Sequence, residues 1–252
     1  MAKVRGVRGS DGRYVLIGLG GIGSNVLRGL VPFLYSVGRP ATVLAVDGDA
    51  FEERNRGRMI FPRPGPKANV LAEELGPLYG DRVTILPVPR YVTARNAVGL
   101  IAERDVVFCQ PDNHFTRRLV ERRCRRLRDV TLITGGNDGV EDDKAGTYGS
   151  VHVYIRTRGR DVTAPPSRHH PEIGRPKDRP PTARGCSAAV AAGAAQLLVT
   201  NLAVASAMLG AFHAWRSGGL TYEDLALDVL LGRMAPVRAI GGRPPGVAAA
   251  AR

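Results

Sequence analysis

Aromatic residues are scarce in this chain: Phe, Trp and Tyr make up 6% of 252 positions. Its core must therefore be aliphatic, and a hydrophobic content of 44% is enough to build one. Cysteine is scarcer still. Cys109, Cys124 and Cys186 are the three in the chain, and no pair has the short spacing of a zinc knuckle. An odd count at wide spacing excludes a disulfide framework and reads as a reduced, cytoplasmic protein in which no zinc is expected. The amino terminus has no apolar segment of the signal-peptide kind. One charge-free stretch, Ser187 to Phe212, is long enough to span a bilayer. It is mostly Ala and Gly, with Gln196, Thr200 and Asn201 inside, and alanine drives insertion weakly. The expectation is a buried helix, in the core or at a dimer seam, and no membrane. Acid is also in short supply: 23 Asp and Glu stand against 36 Lys and Arg, a net charge of +13. That balance favours phosphate-bearing or acidic partners, nucleic acid among them.

The length suits one large α/β domain. We expect a flexible segment over residues 1–12, a single nucleotide-binding domain over 13–240 with a crossover loop at about 158–186, and a flexible tail over 241–252. Short apolar runs alternate with helical patterns. Strands are expected at Arg13–Gly18, Ala41–Asp47, Arg82–Pro87, Asp105–Cys109 and Val130–Thr134. Helices are expected at Ser24–Ser36, Lys67–Leu78, Ala94–Glu103 and from Asn113 to about Arg128. This implies a Rossmann-like, mostly parallel sheet with helices on both faces. An alternating strand at Tyr148–Thr157 and a strand pair within Tyr222–Ile240 add a C-terminal antiparallel extension.

The most informative stretch is Gly18–Leu19–Gly20–Gly21–Ile22–Gly23 between the first strand and first helix. A glycine turn there presents backbone N–H groups and a positive helix end to phosphate. Asp47 ends the second strand, where an acid accepts ribose hydroxyls. These features fit NAD as well as ATP. Asn55, Arg58 and Lys67 follow, and cations at that place suit a triphosphate whose pyrophosphate is leaving. Asp112 follows the fourth strand, where a carboxylate suits magnesium; it or Asn113 also suits a helix cap.

The set Gly18-x-Gly20-Gly21-x-Gly23, Asp47-x-Asp49, Asn55-x-x-Arg58, Pro66–Lys67 and Asp112–Asn113 resembles the ThiF/MoeB/HesA ubiquitin-activating-enzyme-like superfamily. The resemblance implies an ATP- and Mg2+-dependent adenylyltransferase. Asp47 would bind ribose, Asn55, Arg58 and Lys67 the phosphates, and Asp112 the magnesium. The glycines, Asp49 and Asn113 would complete the nucleotide site. It also implies a homodimer acting on the C-terminal carboxylate of a small ubiquitin-like or sulfur-carrier protein. Some members pass the acyl group to a cysteine, and Cys186, beside a helix start, is the candidate here. Three departures mark a divergent branch. Paired CxxC zinc motifs are absent. Only Arg5 and Arg8 could supply the arginine that a longer N-terminal segment lends the partner subunit. Met59 stands where a glutamine is usual. Other readings are a tRNA-modifying member of the same family, an NAD-dependent oxidoreductase and a silent scaffold. His169 and His170, in the crossover loop, are expected to be solvated or structural. The basic helix with Arg117, Arg118, Arg122, Arg123, Arg125, Arg126 and Arg128 is expected to be a solvated face, although Arg117, one turn in, could still point into the crevice.

Overall fold

A computed structural model describes residues 12–141, 144–183 and 196–240. The sheet strands are β1 (Arg13–Ile17), β2 (Ala41–Val46), β5 (Val83–Val88), β6 (Val106–Cys109), β7 (Val130–Asn137), β10 (Tyr148–Thr157), β11 (Arg160–Asp161), β12 (Tyr222–Asp228) and β13 (Arg233–Ala239). Two short pairs lie outside it: β3 (Ala50–Phe51) with β4 (Gly65–Pro66), and β8 (Val140–Glu141) with β9 (Lys144–Ala145). The helices are α1 (Gly21–Val37), α2 (Lys67–Tyr79), α3 (Ala97–Leu100), α4 (His114–Cys124), α5 (Pro166–His169), α6 (Pro171–Gly174) and α7 (Leu198–Arg216).

The strand order is β13-β12-β10-β7-β6-β1-β2-β5, with β11 on β10. From β5 to β7 every pairing is parallel; from β7 onward every pairing is antiparallel. The inner parallel strands are apolar on both faces because helices cover both: β6 is wholly buried and β1 is buried beyond Arg13, whereas the edge strand β5 is partly exposed. On one face α1, α2 and α7 pack over Leu16, Val43, Phe108 and Ile133; on the other, Val15, Leu44, Val107, Leu132 and Tyr154 meet the Val120 and Cys124 side of α4.

Strand order reverses between β1 and β6, so the chain leaves the sheet in opposite directions there and opens a crevice beyond the carboxyl ends. Gly18 follows β1 and Gln110 follows β6 at this point. A cross-strand row, Val88–Val46–Ile17–Cys109–Thr134–His152–Asp224, runs along the whole edge in register.

Several expectations need correction. The helix expected over Ala94–Glu103 is a single turn, α3, because Asn96 bonds back to Thr93 and Tyr91 in a local turn. The basic helix ends at Cys124, with Arg125 as its cap. The crossover segment is not a featureless loop. It holds β11, α5, α6 and a 3-10 turn at Pro181–Ala183, and Pro166 and Pro171 each start a helical turn, where a fixed φ and missing N–H cost nothing. The charge-free stretch is not one continuous helix, since Leu197 is extended and α7 begins after it. By length and composition α7 could cross a membrane, but half of it is buried in the fold, against α1, β7 and β10. The two tails, beyond Gly12 and Ile240, lie outside the described residues, as do Arg5, Arg8 and Cys186.

Candidate nucleotide site

The glycine turn is held by contacts only glycine permits. Gly18 has φ +88° and donates its N–H to Val46 O at 2.9 Å. A side chain there would meet Pro111 N at 2.7 Å, so the β6 loop closes directly on the turn. A Cβ on Gly23 would stand 1.8 Å from Gly18 O, and one on Gly21 would stand 2.2 Å from Asn201 Nδ2. Gly20 differs: the nearest atom to its Cβ would be Met59 Cε at 3.7 Å, so space is open above it. Gly20 is the N-cap of α1 with no side-chain cap, and its helix start therefore presents free N–H groups.

These differences give a paired prediction. Gly23→Ala forces backbone apart and should destabilise by about 1–3 kcal/mol, read as a fall in Tm of roughly 2–4 °C for each kcal/mol. Gly20→Ala should leave Tm nearly unchanged yet weaken nucleotide binding, because its methyl fills the open space. Thermal melts with and without nucleotide separate the two.

Asp47 is buried at the end of β2 and accepts N–H bonds from Leu19 (2.5 Å) and Asp49 (2.7 Å). Burial pushes its carboxyl pKa up, against the pull of Lys67. Lys67 opens α2, is 6% exposed, and places Nζ 3.3 Å from Asp49 Oδ2. Burial opposes its charge, but Asp47 and Asp49, helped by Asp112, outweigh that and hold its pKa above the ordinary lysine value. Tyr91, which the sequence did not single out, donates its hydroxyl to Asp49 and packs over Gly48. Asp49 therefore positions Lys67 and Tyr91.

Asn55 and Arg58 lie on the same loop, with Arg58 donating to Asn55 Oδ1 at 3.1 Å. Arg58 O accepts from Asn201 Nδ2 at 3.3 Å, beside Gly21. Met59 is buried beneath this loop and faces Gly20. Asn113 is the N-cap of α4, accepting from Thr116 N at 2.8 Å, while the adjacent Asp112 is exposed. Of the two candidates for the cap, Asn113 fills it and Asp112 is left for other chemistry. Asp112 acts electrostatically on Lys67 and Tyr91.

Sequence reasoning missed two buried amides that lock the site. Gln110 donates to Gly18 O at 2.9 Å and sits against Gly23. Asn201, fully buried in α7, links Arg58 O to Asn137. Its only signal was an amide in an otherwise apolar run. Nor is the basic face all solvated. Arg117 turns inward to Pro111 O, Thr134 Oγ1 and Gly135 O, and burial lowers its pKa. Arg123 donates to Ile101 O. Arg122, Arg125, Arg126 and Arg128 are exposed. His169 and His170 are tucked against β12, bonded to Glu223 (2.8 Å) and near Asp224 (3.4 Å).

A parallel sheet with a glycine turn at its switch point, a buried acid after β2 and a buried lysine opening α2 define a Rossmann-like protein. The ThiF family model matches residues 7–214, and the chain belongs to the ThiF family. Among solved structures, Escherichia coli MccB is similar over 94% of this chain and 64% of its own, with 15% identity and a TM-score of 0.61. MccB with ATP gives 0.61 at 16% identity, over 94% of this chain and 66% of that one. PaaA gives 0.64 at 13% identity, over 92% and 65%. At these identities the likeness is one of fold. The chain spans just under two thirds of the MccB and PaaA chains. A search of curated proteins finds no match.

Proposed function

We propose that this protein is an ATP-dependent adenylyltransferase that activates the C-terminal carboxylate of a small ubiquitin-like or sulfur-carrier protein. The observation that carries the reading is Lys67: a buried cation bonded to Asp49, its charge favoured by Asp112 and by Asp47, which in turn accepts from Leu19 N of the glycine turn. Hydride transfer has no use for such a cation over its cofactor; phosphoryl chemistry does. Solved structures of the similar MccB hold ATP, and others hold MccA, which supports a nucleotide and an acceptor on this fold.

In the proposed reaction the acceptor carboxylate attacks the α-phosphate of ATP. The bond to the β-phosphate breaks, pyrophosphate leaves, and an acyl-adenylate remains. Gly20, Gly21 and the free N–H groups of α1 cradle phosphate. Asp47 takes the ribose hydroxyls with the lone pairs its two N–H bonds leave. Lys67 and Arg58, steadied by Asn55, counter the charge that develops on the leaving group. Asp112 fits magnesium by its chemistry: a hard, exposed carboxylate with Asn113 Nδ2 3.5 Å away. When bound, that ion neutralises phosphate charge. The protein is proposed to be cytoplasmic and to act as a homodimer.

ATP–pyrophosphate exchange tests the reading. Exchange should require magnesium and an acceptor with a free carboxyl terminus, and should vanish when that terminus is amidated. Exchange with no acceptor candidate, MccA-like sequences included, would count against it.

A thioester on Cys186 is the further step of this proposal. Burial pushes the Cys109 thiol up to about 12 and Cys124 well above its ordinary value, so neither reacts in the native protein. Native-state alkylation at neutral pH should therefore label one thiol per chain, and Cys186→Ala should abolish labelling. Two or three labelled thiols in the folded protein would contradict this assignment.

A further inference from the structure

Three side chains distant in sequence meet at the far end of the cross-strand row. His152 is on β10, Asp224 faces it in register on β12, and His170 joins α5 to α6. One nitrogen of each histidine and one oxygen of Asp224 lie within 4.8 Å of one another. His152 is 1% exposed, and its Nε2 lies 2.8 Å from Ala164 O. A carbonyl only accepts, so Nε2 carries a proton, and Nδ1 is the nitrogen left for another partner. That Nδ1 is buried without a hydrogen-bond partner, 3.8 Å from Asp224 Oδ1. This distance is too long for a hydrogen bond, and a nitrogen lone pair facing a carboxylate is unfavourable unless a proton or a metal ion lies between them. His170 Nε2 is 3.4 Å from the same oxygen.

We propose that His152 Nδ1, His170 Nε2 and Asp224 Oδ1 bind one divalent transition-metal ion, with zinc as the preferred occupant and water in the fourth position. Ligands about 2.0–2.1 Å from a tetrahedral zinc stand roughly 3.4 Å apart, which the 3.4 and 3.8 Å separations approach. Imidazole nitrogen with one carboxylate suits zinc and its late first-row neighbours, not magnesium. The surrounding shell is in place. Ala164 accepts from His152 through its carbonyl and donates its N–H to Glu223 Oε2 at 2.9 Å, while Glu223 Oε1 holds His169. Glu172 Oε1 lies 3.5 Å from His170 Nδ1 and orients that ring. Arg238 lies 3.6 Å from the other oxygen, Oδ2, and leaves Oδ1 to the metal.

The site is separate from the nucleotide crevice. The crevice opens between β1 and β6; β6 lies two strand spacings of about 4.8 Å, roughly 10 Å in all, from β10, and β2, which Asp47 follows, lies four away. Its role is that of a clip. It fastens the crossover segment to the antiparallel strands, and α6 of that segment packs on α4. Further along the segment Asp178 accepts from Phe115 N at 3.2 Å, at the start of α4 next to Asp112. This inference does not rest on the adenylation reading, and it revises the expectation that a chain without paired cysteines has no zinc.

The test is titration of tag-free, chelator-dialysed protein with Zn2+ by calorimetry, and with Co2+ by visible absorption. One ion per chain is expected, with tetrahedral cobalt bands and a Tm raised by several degrees. His170→Gln and Asp224→Asn should each weaken binding at least 100-fold, whereas His213→Gln, on α7, should not change it. His170 is partly exposed, so His170→Gln should keep the wild-type metal-free melt and circular dichroism. Absence of stoichiometric binding by the wild type overturns the proposal, as does undiminished binding by both ligand variants.

Discussion

Lys67→Met is expected to reduce pyrophosphate exchange by about 100- to 1,000-fold, the usual cost of removing one preorganised group that meets developing charge. It should also destabilise the fold. Lys67 is the cation facing the buried Asp47, and breaking a buried pair by deleting one partner costs about 3–5 kcal/mol. The lower end is expected here, because Asp49 is half exposed and Asp47 keeps its N–H bonds from Leu19 and Asp49. The raised pKa of Lys67 sets the pH range of this contribution. It is fully present below the ordinary lysine value and is lost only as pH rises through the higher folded value. Lys67→Arg should recover most of the stability and little of the rate, since a planar fork cannot take the place of a point charge. Denaturant melts and exchange rates on the three proteins check this. A methionine variant that exchanges at the wild-type rate would remove Lys67 from the chemistry.

Asp112→Asn is the complementary case, a large loss of activity without a loss of stability. Asp112 is exposed, and the cap of α4 is supplied by Asn113. The melting temperature should stay at the wild-type value. Exchange should fall at least 100-fold, because a neutral amide is a poor magnesium ligand. ATP affinity should drop when magnesium is present and match wild type when EDTA has removed it. Equal loss in both conditions would mean that Asp112 acts on the nucleotide without a metal.

The parts of this site legible in the sequence are those carried by local pattern. Glycines before a helix, an acid ending a strand and Pro66–Lys67 opening a helix each declare themselves within a few residues. Their convergence follows from parallel topology, since strand ends share one edge of the sheet. β1, β2, β5 and β6 match the expected strands to within a residue, most of them because burial leaves a continuous apolar run, while β7 runs three residues past the expected Thr134.

What was missed depends on contacts between distant segments. Gln110 matters because Gly18 and Gly23 crowd against it, and Asn201 matters because α7 crosses the start of α1. Neither amide has a periodicity to reveal it. The pairing of β10 with both β7 and β12, which brings His152 to Asp224, is a register fact that alternation alone does not fix. Composition points Arg123 to a solvated face and leaves Arg117 open to the crevice. The carbonyls that draw them inward belong to β7 and to the loops before β6 and α4. Pro166 and Pro171 each begin a short helix that the low periodicity around them hid.

The most direct test of the account is a thermal shift with magnesium–ATP against NAD. At 100 times its dissociation constant a ligand of the native state stabilises by about 2.7 kcal/mol, or roughly 5–11 °C for a domain of this size. The account predicts that shift for magnesium–ATP and none for NAD; stabilisation by NAD with no response to ATP would contradict it.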